Sequence, residues 1–411
     1  MSNTLLTIDM ITKDALPIFV NSNAFLMNID RQYSSEFKAD GAKIGETVRI
    51  RLPSDYTVTT GPALAVQGNV QINTALTVST QKHVDIAFTS VEQRMQLSEF
   101  RELVLRPAIN NLAGAVAADV ATLAETVPNF VGSVTAGAIS SPTKTEWLYA
   151  NAALTQNSAT VGGRVAVLDP STNATTVNSM AGLFNPTGRI SQQFDDGRMM
   201  GPALGIGKWM EDQTVIAHTA GSFTAGAVTG VGTGGNSLLV SGGITGTLAA
   251  GDIIVVAGVY AVNRVTKQAQ TFQRSFAVTA ACANGATSVP IYPALIGPSG
   301  GNPVQFQTVA QLPATNAAIS LNVSGGTVYK KNLVMRPEAF TLGMVDLPTY
   351  GAGVIACARE SYQGCSVRIL DAYLPGTDQK VTRIDVLYGY AALRPEWACI
   401  VGDVGIPANE F

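Results

Sequence analysis

The chain has 411 residues, enough for about two or three domains of ordinary size. Only 13% of its residues are charged, against ~25% in a typical soluble protein, and 46% are hydrophobic, which excludes an intrinsically disordered chain. Its 26 Lys and Arg residues and 29 Asp and Glu residues give a net charge of -3. This balance does not indicate a dedicated nucleic-acid-binding protein, because phosphate contacts need a basic face.

The positive mean hydropathy raises the question of a membrane span, which needs about 20 consecutive apolar residues. The longest uncharged stretch, residues 275–329, is interrupted every few positions by glycine, proline or polar residues, so it predicts short strands and loops. Asp9, Lys13 and Asp14 lie where a signal peptide keeps an apolar core. We therefore expect a protein that has no membrane partner and stays where it is made.

Residues 1–46 contain one short helical pattern, at residues 7–16, and need another surface to lie on. From Thr47 the pattern changes to an alternation with a period of two, which predicts two strands joined by a turn-rich tip at residues 61–68. The apolar positions are Val48, Ile50 and Leu52, then Val70, Ile72, Leu76 and Val78. Asp55 is the single charge between Pro53 and Gln81. Because a lone two-stranded hairpin is marginal in water, we expect this one to pair with another surface, for example another subunit.

Residues 84–90 alternate again and predict a half-buried strand. A helix of about 20 residues follows, since Pro107 suits its first turn and Pro128 ends it. Residues 144–215 then mix helix and strand patterns. They predict a helix over residues 145–155, a buried strand over residues 164–168, a helix start at Asp169 and Pro170, and further short elements over residues 203–215. The interleaving indicates α+β layer packing.

Composition changes sharply at about residue 213. Residues 213–329 carry four charges, which are Asp252, Arg264, Lys267 and Arg274. Their short runs, rich in valine, isoleucine and threonine, are separated by Gly, Pro and Asn, which is typical of a small all-β barrel or sandwich. Because α/β-type sequence resumes afterwards, the unit is interpreted as inserted. Alternating strands return at residues 365–373 and 381–393.

The four cysteines form no CxxC pair, and only His83 and His218 could join them at a metal, so reduced and mostly buried thiols are expected rather than a zinc site or disulfides. His83 is interpreted as a surface or interface residue on a strand. His218 has no acidic neighbour within four residues and supports no catalysis. Adjacent Asp195 and Asp196 are interpreted as a solvated turn.

Three literal matches to catalytic motifs occur, at residues 230–235 (GxGxxG), residues 351–356 (GxGxxA) and around Ser299 (GxSxG). A nucleotide fingerprint needs a strand before it and a helix within it, and these glycines lie in predicted loops. A serine nucleophile in the usual order needs a downstream histidine, and none follows Ser299. We therefore expect no enzymatic activity and no cofactor.

The C-terminal sequences NLVMRPEAFTLGMVDLP (residues 332–348) and VTRIDVLYGYAALRPEWACIVG (residues 381–402) resemble the closing strands of tailed-phage major capsid proteins of the P-twenty-two type. Residues 251–279 are similar to the inserted β-barrel domain of that family. The predicted hairpin, followed by LRPAINNLAGAVAADVATLA, resembles the extended loop and spine helix of the Hong Kong 97-type capsid fold. The parts occur in the expected order over most of the chain.

This resemblance implies an N-terminal arm (residues 1–46), an extended loop (47–80), a spine helix and peripheral domain (81–215), an inserted β-barrel domain (216–330), and an axial domain with the closing strands (331–411). It implies a non-enzymatic virion protein that forms pentamers and hexamers with copies of itself, in an icosahedral head enclosing double-stranded DNA. Scaffolding and portal proteins are implied partners, DNA contacts are non-specific at most, and assembly takes place in the host cytoplasm. The very low charge of the inserted unit departs from the family pattern.

The sequence also suggests where subunits would touch. The alternating-sign segment at residues 92–106 is interpreted as a solvated or inter-subunit face, and the hairpin as an unsatisfied ribbon. The candidate inter-subunit contacts are Arg49, Arg51, Gly61, Pro62, Gly68, Glu92, Arg94, Glu99, Arg101 and Glu102. Tyr388, Tyr390, Arg394 and Trp397 also suit an interface, although packing in core strands explains them better. The competing hypothesis is a β-rich tail, decoration or adhesin protein, motivated by the uncharged stretch.

Overall fold

The computed structural model describes residues 16–17, 19, 23–33, 47–53, 55–64, 66–68, 72–89, 106–135, 137–180, 196–199, 201–229, 235–298, 304–350, 354–362, 364–376 and 379–405. Within these residues the chain is mixed α+β with strands predominating. It divides into two compact units, each assembled from separated stretches of sequence. The helix expected at residues 7–16 lies outside the described residues except for its last position.

The helices of the described part are α1 (Ala24–Asn28), α2 (Arg106–Ala121), α3 (Lys144–Gln156) and α4 (Pro170–Ser179). The first ten strands are β1 (Thr47–Arg51), β2 (Asn73–Thr77), β3 (Thr80–Thr89), β4 (Phe130–Val131), β5 (Ser133–Thr135), β6 (Ala138–Ser140), β7 (Val165–Leu168), β8 (Lys208–Glu211), β9 (Ala217–Thr219) and β10 (Gly235–Leu239). The others are β11 (Ile253–Val262), β12 (Ala269–Val278), β13 (Ser288–Leu295), β14 (Ile319–Leu321), β15 (Val328–Met335), β16 (Phe340–Val345), β17 (Ala356–Tyr362), β18 (Cys365–Leu374), β19 (Gln379–Ala392) and β20 (Ala398–Asp403).

The first unit comprises Met1–Arg51, Asn73–Ala121 and Phe340–Leu393. Its main sheet has the antiparallel order β16-β19-β18-β17, and β3 also pairs with the long central strand β19. The predicted strands of residues 84–90, 365–373 and 381–393 are therefore confirmed. Both faces of β19 are buried from Ile384 to Gly389, and Ile384, Val386 and Tyr388 share one of them.

A buried ion pair joins two strands of this sheet. Arg368 in β18 lies directly opposite Asp385 in β19, and their side chains are 7% and 0% exposed. The Arg368 Nε donates to Asp385 Oδ1 at 3.0 Å, and a second guanidinium nitrogen donates to the carbonyl of Pro348 at 2.7 Å. Burial lowers the pKa of Arg368, but the hydrogen bonds and charge of Asp385 outweigh it and raise that pKa. The two opposite charges stabilise each other at a buried position, where water does not solvate them.

The helix predicted to begin around Pro107 is confirmed as α2, which ends at Ala121 and is followed by a 3-10 helix at Thr122–Thr126. Pro107 stands in its first turn, where a missing N–H leaves no hydrogen bond unmade. The buried face is Ala108, Ile109, Leu112, Ala113, Val116, Ala117, Val120 and Ala121. Asp119 faces the sheet and accepts a hydrogen bond from the hydroxyl of buried Tyr388. It also forms an ion pair with Lys82, whose Nζ lies 2.8 Å from Asp119 Oδ1. These contacts hold the helix against β3 and β19.

The second unit comprises Leu52–Ile72, Thr122–Ala339 and Arg394–Phe411. One of its sheets has the order β4-β20-β15-β7-β8, with β9 also pairing β15. Helix α3 begins with a capping box between Thr143 and Glu146. Asp169 is the N-cap of α4 and Pro170 stands in its first turn, as the sequence predicts. Buried Arg164 donates to the carbonyls of Asn151 (2.7 Å) and Ala159 (2.8 Å) near the end of α3.

The low-charge segment forms a second antiparallel sheet in the order β10-β13-β12-β11-β14, which confirms the predicted strands. Residues 225–229 bond to both sides of it. The Val228 N–H donates to the Ala317 carbonyl at 2.9 Å, and the Ser241 N–H donates to the Ala227 carbonyl at 2.7 Å. Its core is apolar, containing Phe223, Val228, Leu238, Val240, Ile244, Leu248, Ile254, Val256, Val259, Phe276, Val278, Cys282, Val289, Ile291, Leu295, Val309 and Ile319.

All four cysteines are free thiols. Cys282, Cys365 and Cys399 are buried, and Cys357 is half-buried, so the prediction of reduced and mostly buried cysteines is confirmed. Burial raises the pKa of Cys282, Cys365 and Cys399, which keeps these thiols protonated and unreactive near neutral pH.

A buried polar cluster lies where the low-charge strands meet the sheet of β15. His218 (β9) and Asp252 are 4% and 1% exposed, and His218 Nε2 lies 2.8 Å from Asp252 Oδ1. Asp252 also accepts the backbone N–H of Ala249 at 2.7 Å. Lys331 (β15), 1% exposed, donates to the carbonyl of Gly251 at 2.7 Å. The sequence offered His218 no acidic neighbour, but folding brings one from 34 residues away.

The pKa of Lys331 predicts a pH dependence of stability. Burial lowers this pKa from 10.5 to about 8, with Glu125 and Asp252 opposing the shift. Between these two values the unfolded chain keeps a proton that the folded chain has released, so raising the pH favours the folded state. Methionine does not titrate. The free energy of unfolding of the wild type should therefore rise by about 2 kcal/mol relative to Lys331→Met between about pH 7 and pH 10.

Urea unfolding of both proteins at several pH values measures this difference, and the other titrating groups cancel because the two chains share them. A difference that stays constant or falls with increasing pH would show that Lys331 is not held in a site that disfavours its charge.

Candidate inter-subunit surface

The base of the predicted hairpin is present as the antiparallel pair β1 and β2. Thr47 lies opposite Thr77, with their Oγ1 atoms 2.8 Å apart, at one end of the ladder. Ile50 is buried while Arg49 and Arg51 are exposed, so the predicted alternation of the first strand is confirmed.

The second strand is shorter than predicted. The ladder ends where Arg51 lies opposite Asn73, and its last neighbouring bond runs from the Leu52 N–H to the Ile72 carbonyl at 2.8 Å. The residues that would form the next hydrogen-bonded pair, 54 and 70, lie outside the described residues. Ile72, expected on the apolar face, is 45% exposed, while Leu76 and Val78 of the same run are buried; Val70 lies outside the described residues.

The base of the hairpin lies against β19 at Gly389. A Cβ atom added to Gly389 would lie 2.1 Å from the carbonyl oxygen of Thr77, far inside van der Waals contact. Gly389 therefore permits a close approach of two backbones that any side chain would prevent.

Beyond the base, the Leu52–Ile72 loop exposes large apolar side chains. Tyr56 is 57% exposed, Val58 90%, Leu64 89% and Val66 84%. The sequence pattern predicts a neutral, turn-rich tip here, but not an apolar surface. The sequence of the loop did carry one sign of this surface: valine and leucine recur along it, and no neighbouring apolar segment of the loop could cover them.

Hydrogen bonds fix the shape of the loop. The amide side chain of Gln67 accepts the Thr57 N–H at 2.9 Å and donates to the Thr57 carbonyl at 2.5 Å, joining the two sides of the loop. Buried Gln305 donates from its Nε2 to the Gly68 carbonyl at 3.0 Å.

An ion pair also holds the loop. Arg264 Nε lies 3.2 and 3.1 Å from the two carboxylate oxygens of Asp55, and another guanidinium nitrogen lies 2.9 Å from Oδ2. Burial lowers the pKa of Arg264, but the hydrogen bonds and charge of Asp55 outweigh it and raise that pKa. Arg264 and Asp55 are 209 residues apart in sequence, too far for a local pattern to connect them.

The candidate contact residues fall into two groups. Arg49, Arg51, Gly61, Pro62 and Gly68 are exposed on one hairpin and its loop, and their contacts with another subunit remain a prediction. The remaining candidates, Glu92, Arg94, Glu99, Arg101 and Glu102, lie outside the described residues.

The other residues singled out in the sequence lie at the surface, in packed contacts or outside the described residues. His83 lies on β3, 43% exposed and 3.2 Å from Asp85, which confirms a surface histidine. Tyr388 is fully buried, and the Arg394 guanidinium lies 4.5 Å from the centre of the Trp397 ring, consistent with packing. Ser299 and Asp195 lie outside the described residues. So do most of the motif glycines, which are Gly230, Gly232, Gly300, Gly301, Gly351 and Gly353.

Among the described residues, no helix is both long enough and apolar enough to cross a membrane. In the same part of the chain, no three His, Cys, Asp or Glu side chains are grouped so that they could hold a metal ion.

Comparison with known proteins identifies the chain. The family model described as "P22 coat protein - gene protein 5" matches residues 33–402. Among solved structures, a chain from Mycobacterium phage Che8 is similar at 10% identity, with a TM-score of 0.45, covering 92% of this chain and 90% of that one. A chain in the capsid structure of the cyanophage P-SCSP1u is similar at 10% identity, with a TM-score of 0.43 and coverage of 89% and 85%. The CUS-3 coat protein I-domain is similar at 21% identity, with a TM-score of 0.18 and coverage of 26% and 93%. No curated protein matches the sequence.

A family match over most of the chain places it among the structural proteins that form phage capsid shells by assembling with copies of themselves. The chain belongs to the P22 coat protein family and is a major capsid protein of the virion shell. The resemblance to phage coat proteins of the P22 type is confirmed, and the competing hypothesis of a tail, decoration or adhesin protein is not supported.

The close approach at Gly389 gives a test of how the hairpin base is held. In Gly389→Ala the new methyl group meets backbone atoms of Thr77, which cannot move as a flexible side chain end could. We expect a loss of about 1–3 kcal/mol in the free energy of unfolding, measured by urea denaturation. The control Gly376→Ala meets nothing within 4 Å and should change stability by less than about 0.5 kcal/mol. Equal stabilities of the two variants would contradict the account.

Proposed function

We propose that this subunit forms the pentamers and hexamers of a closed icosahedral head that encloses double-stranded DNA. The observation that carries the proposal is the Leu52–Ile72 loop, whose large apolar side chains stand in solvent in a single subunit. Exposed apolar patches on soluble proteins mark surfaces that other proteins cover. A shell presents many copies of the same chain at fixed spacing, so the natural partner of this loop is a neighbouring subunit.

The proposed fold is of the Hong Kong 97 type, with an N-terminal arm over residues 1–46, an extended loop over residues 47–80, and a spine helix and peripheral domain over residues 81–215. An inserted domain over residues 216–330 and an axial domain with closing strands over residues 331–411 complete it. Helix α2 agrees in position with the spine helix. The bonds from residues 225–229 to both sides of the β10–β14 sheet support a closed barrel in the inserted domain.

The proposed contacts of the subunit follow from the same features. Exposed Arg49, Arg51, Gly61, Pro62 and Gly68 would touch a neighbour, together with the charged residues of the 92–102 segment. Scaffolding and portal proteins are proposed as partners during assembly in the host cytoplasm. A net charge of -3 suits a wall that encloses DNA with non-specific contacts at most. The proposed role is structural and not enzymatic.

Electron microscopy of the overexpressed protein tests the proposal. The wild type should form closed shells or rings of five and six subunits, whereas compact trimers or monomers at all concentrations would overturn it. In the double variant Leu64→Ser with Val66→Ser, we expect folding within about 0.5 kcal/mol of the wild type, because both side chains are exposed. The concentration needed for assembly should rise at least about tenfold, since apolar burial between subunits is lost.

The matched control is Leu64→Met with Val66→Ile, which keeps the loop apolar and should assemble like the wild type. If the serine variant also assembles at the wild-type concentration, the loop is not part of the inter-subunit surface.

A further inference from the structure

An ion pair joins two segments of the chain that contain very few charged residues. Residues 53–80 contain a single charged residue, Asp55, and residues 213–329 contain four. Arg264, one of these four, binds the Asp55 carboxylate through both oxygens, with Nε at 3.1–3.2 Å and a terminal nitrogen at 2.9 Å. A guanidinium that spans both carboxylate oxygens fixes orientation as well as distance.

A second connection lies at the other end of the loop. Gln305, 3% exposed, donates to the Gly68 carbonyl at 3.0 Å. The backbone carbonyl of Gln305 accepts a hydrogen bond from the Lys267 ammonium at 2.7 Å. Lys267 and Arg264 both belong to the turn between β11 and β12, so this turn holds the loop directly through Asp55 and indirectly through Gln305.

Apolar side chains stand exposed beside both connections. Tyr56, next to Asp55, is 57% exposed, and Val265, next to Arg264, is 64% exposed. Val304, next to Gln305, is 47% exposed. Exposed apolar side chains of the low-charge domain therefore stand next in sequence to the residues that make both connections.

We propose that the Asp55–Arg264 ion pair binds the extended loop to the low-charge domain of the same subunit, so that the two present one apolar surface to a second copy of this chain. The proposal rests on the shell-forming function proposed above and specifies its partner surface. A free loop would lose conformational entropy each time that a neighbour bound it, whereas a loop already held by its own subunit has lost most of that freedom beforehand. The ion pair neutralises the charges that would otherwise oppose burial of this surface.

Hydrogen exchange in unassembled subunits tests the intramolecular part. In Arg264→Gln, the backbone amides of residues 55–68 should exchange about fivefold faster than in the wild type, as expected when a half-buried ion pair is lost. Asp55→Asn should have the same effect, and the exchanged pair Asp55→Arg with Arg264→Asp should restore slow exchange. The matched control Arg198→Gln removes an exposed arginine that lies 3.6 Å from Glu211, and should leave the loop unchanged. Unchanged exchange in Arg264→Gln would overturn the proposal.

Salt gives an independent measurement on the same proteins. At 1 M salt the screening length falls to about 3 Å, so exchange in the wild-type loop should approach that of Arg264→Gln. A loop whose exchange is insensitive to salt in the wild type would contradict an electrostatic connection.

Assembly tests the intermolecular part. Arg264→Gln should require a several-fold higher protein concentration to form shells, and the exchanged pair should need no more than the wild type. Faster loop exchange with unchanged assembly would overturn the claim of one shared surface. If the wild type itself forms no shells, the proposed function fails, and the exchange data from unassembled subunits still decide the intramolecular connection.

Discussion

Apolar side chains on a narrow ribbon of chain cannot be covered from every side by the ribbon itself. In this subunit Val58, Leu64 and Val66 are each more than four-fifths exposed, while the core strands bury residues of the same types almost completely. Burying one such side chain contributes roughly 1.5–3 kcal/mol, so the single subunit leaves several kcal/mol of favourable free energy unrealised. The rest of the molecule makes sense as a support that holds this ribbon in a fixed shape for a partner.

Specific contacts hold the ribbon at its base and along its loop. Gly389 lets the hairpin base pack backbone against backbone with β19, which is itself paired on both sides and tied internally by Arg368 and Asp385. Further out, the Thr57–Gln67 hydrogen bonds and the Asp55–Arg264 ion pair define the loop. Specific polar contacts thus determine the position of the ribbon, and apolar contacts with a neighbour would supply the free energy of association.

Local sequence patterns predicted the elements of the fold well because period and end signals are local properties. Pro107 and the apolar spacing after it located α2, alternation located β1 and β19, and a short run rich in valine and isoleucine located β11. Contacts between distant residues could not be predicted in this way. Asp55 and Arg264 are 209 residues apart, and His218 and Asp252 are 34 residues apart.

The central claim is that the loop is exposed in a free subunit and covered by another copy in the shell. Reaction of a Leu64→Cys thiol with a maleimide, followed before and after assembly, measures this directly. The native cysteines provide a low background, since three are buried and Cys357 is half-buried. The account predicts rapid reaction in free subunits and at least about tenfold slower reaction in shells, as for a residue buried at an interface. Equal rates in the two states would contradict it.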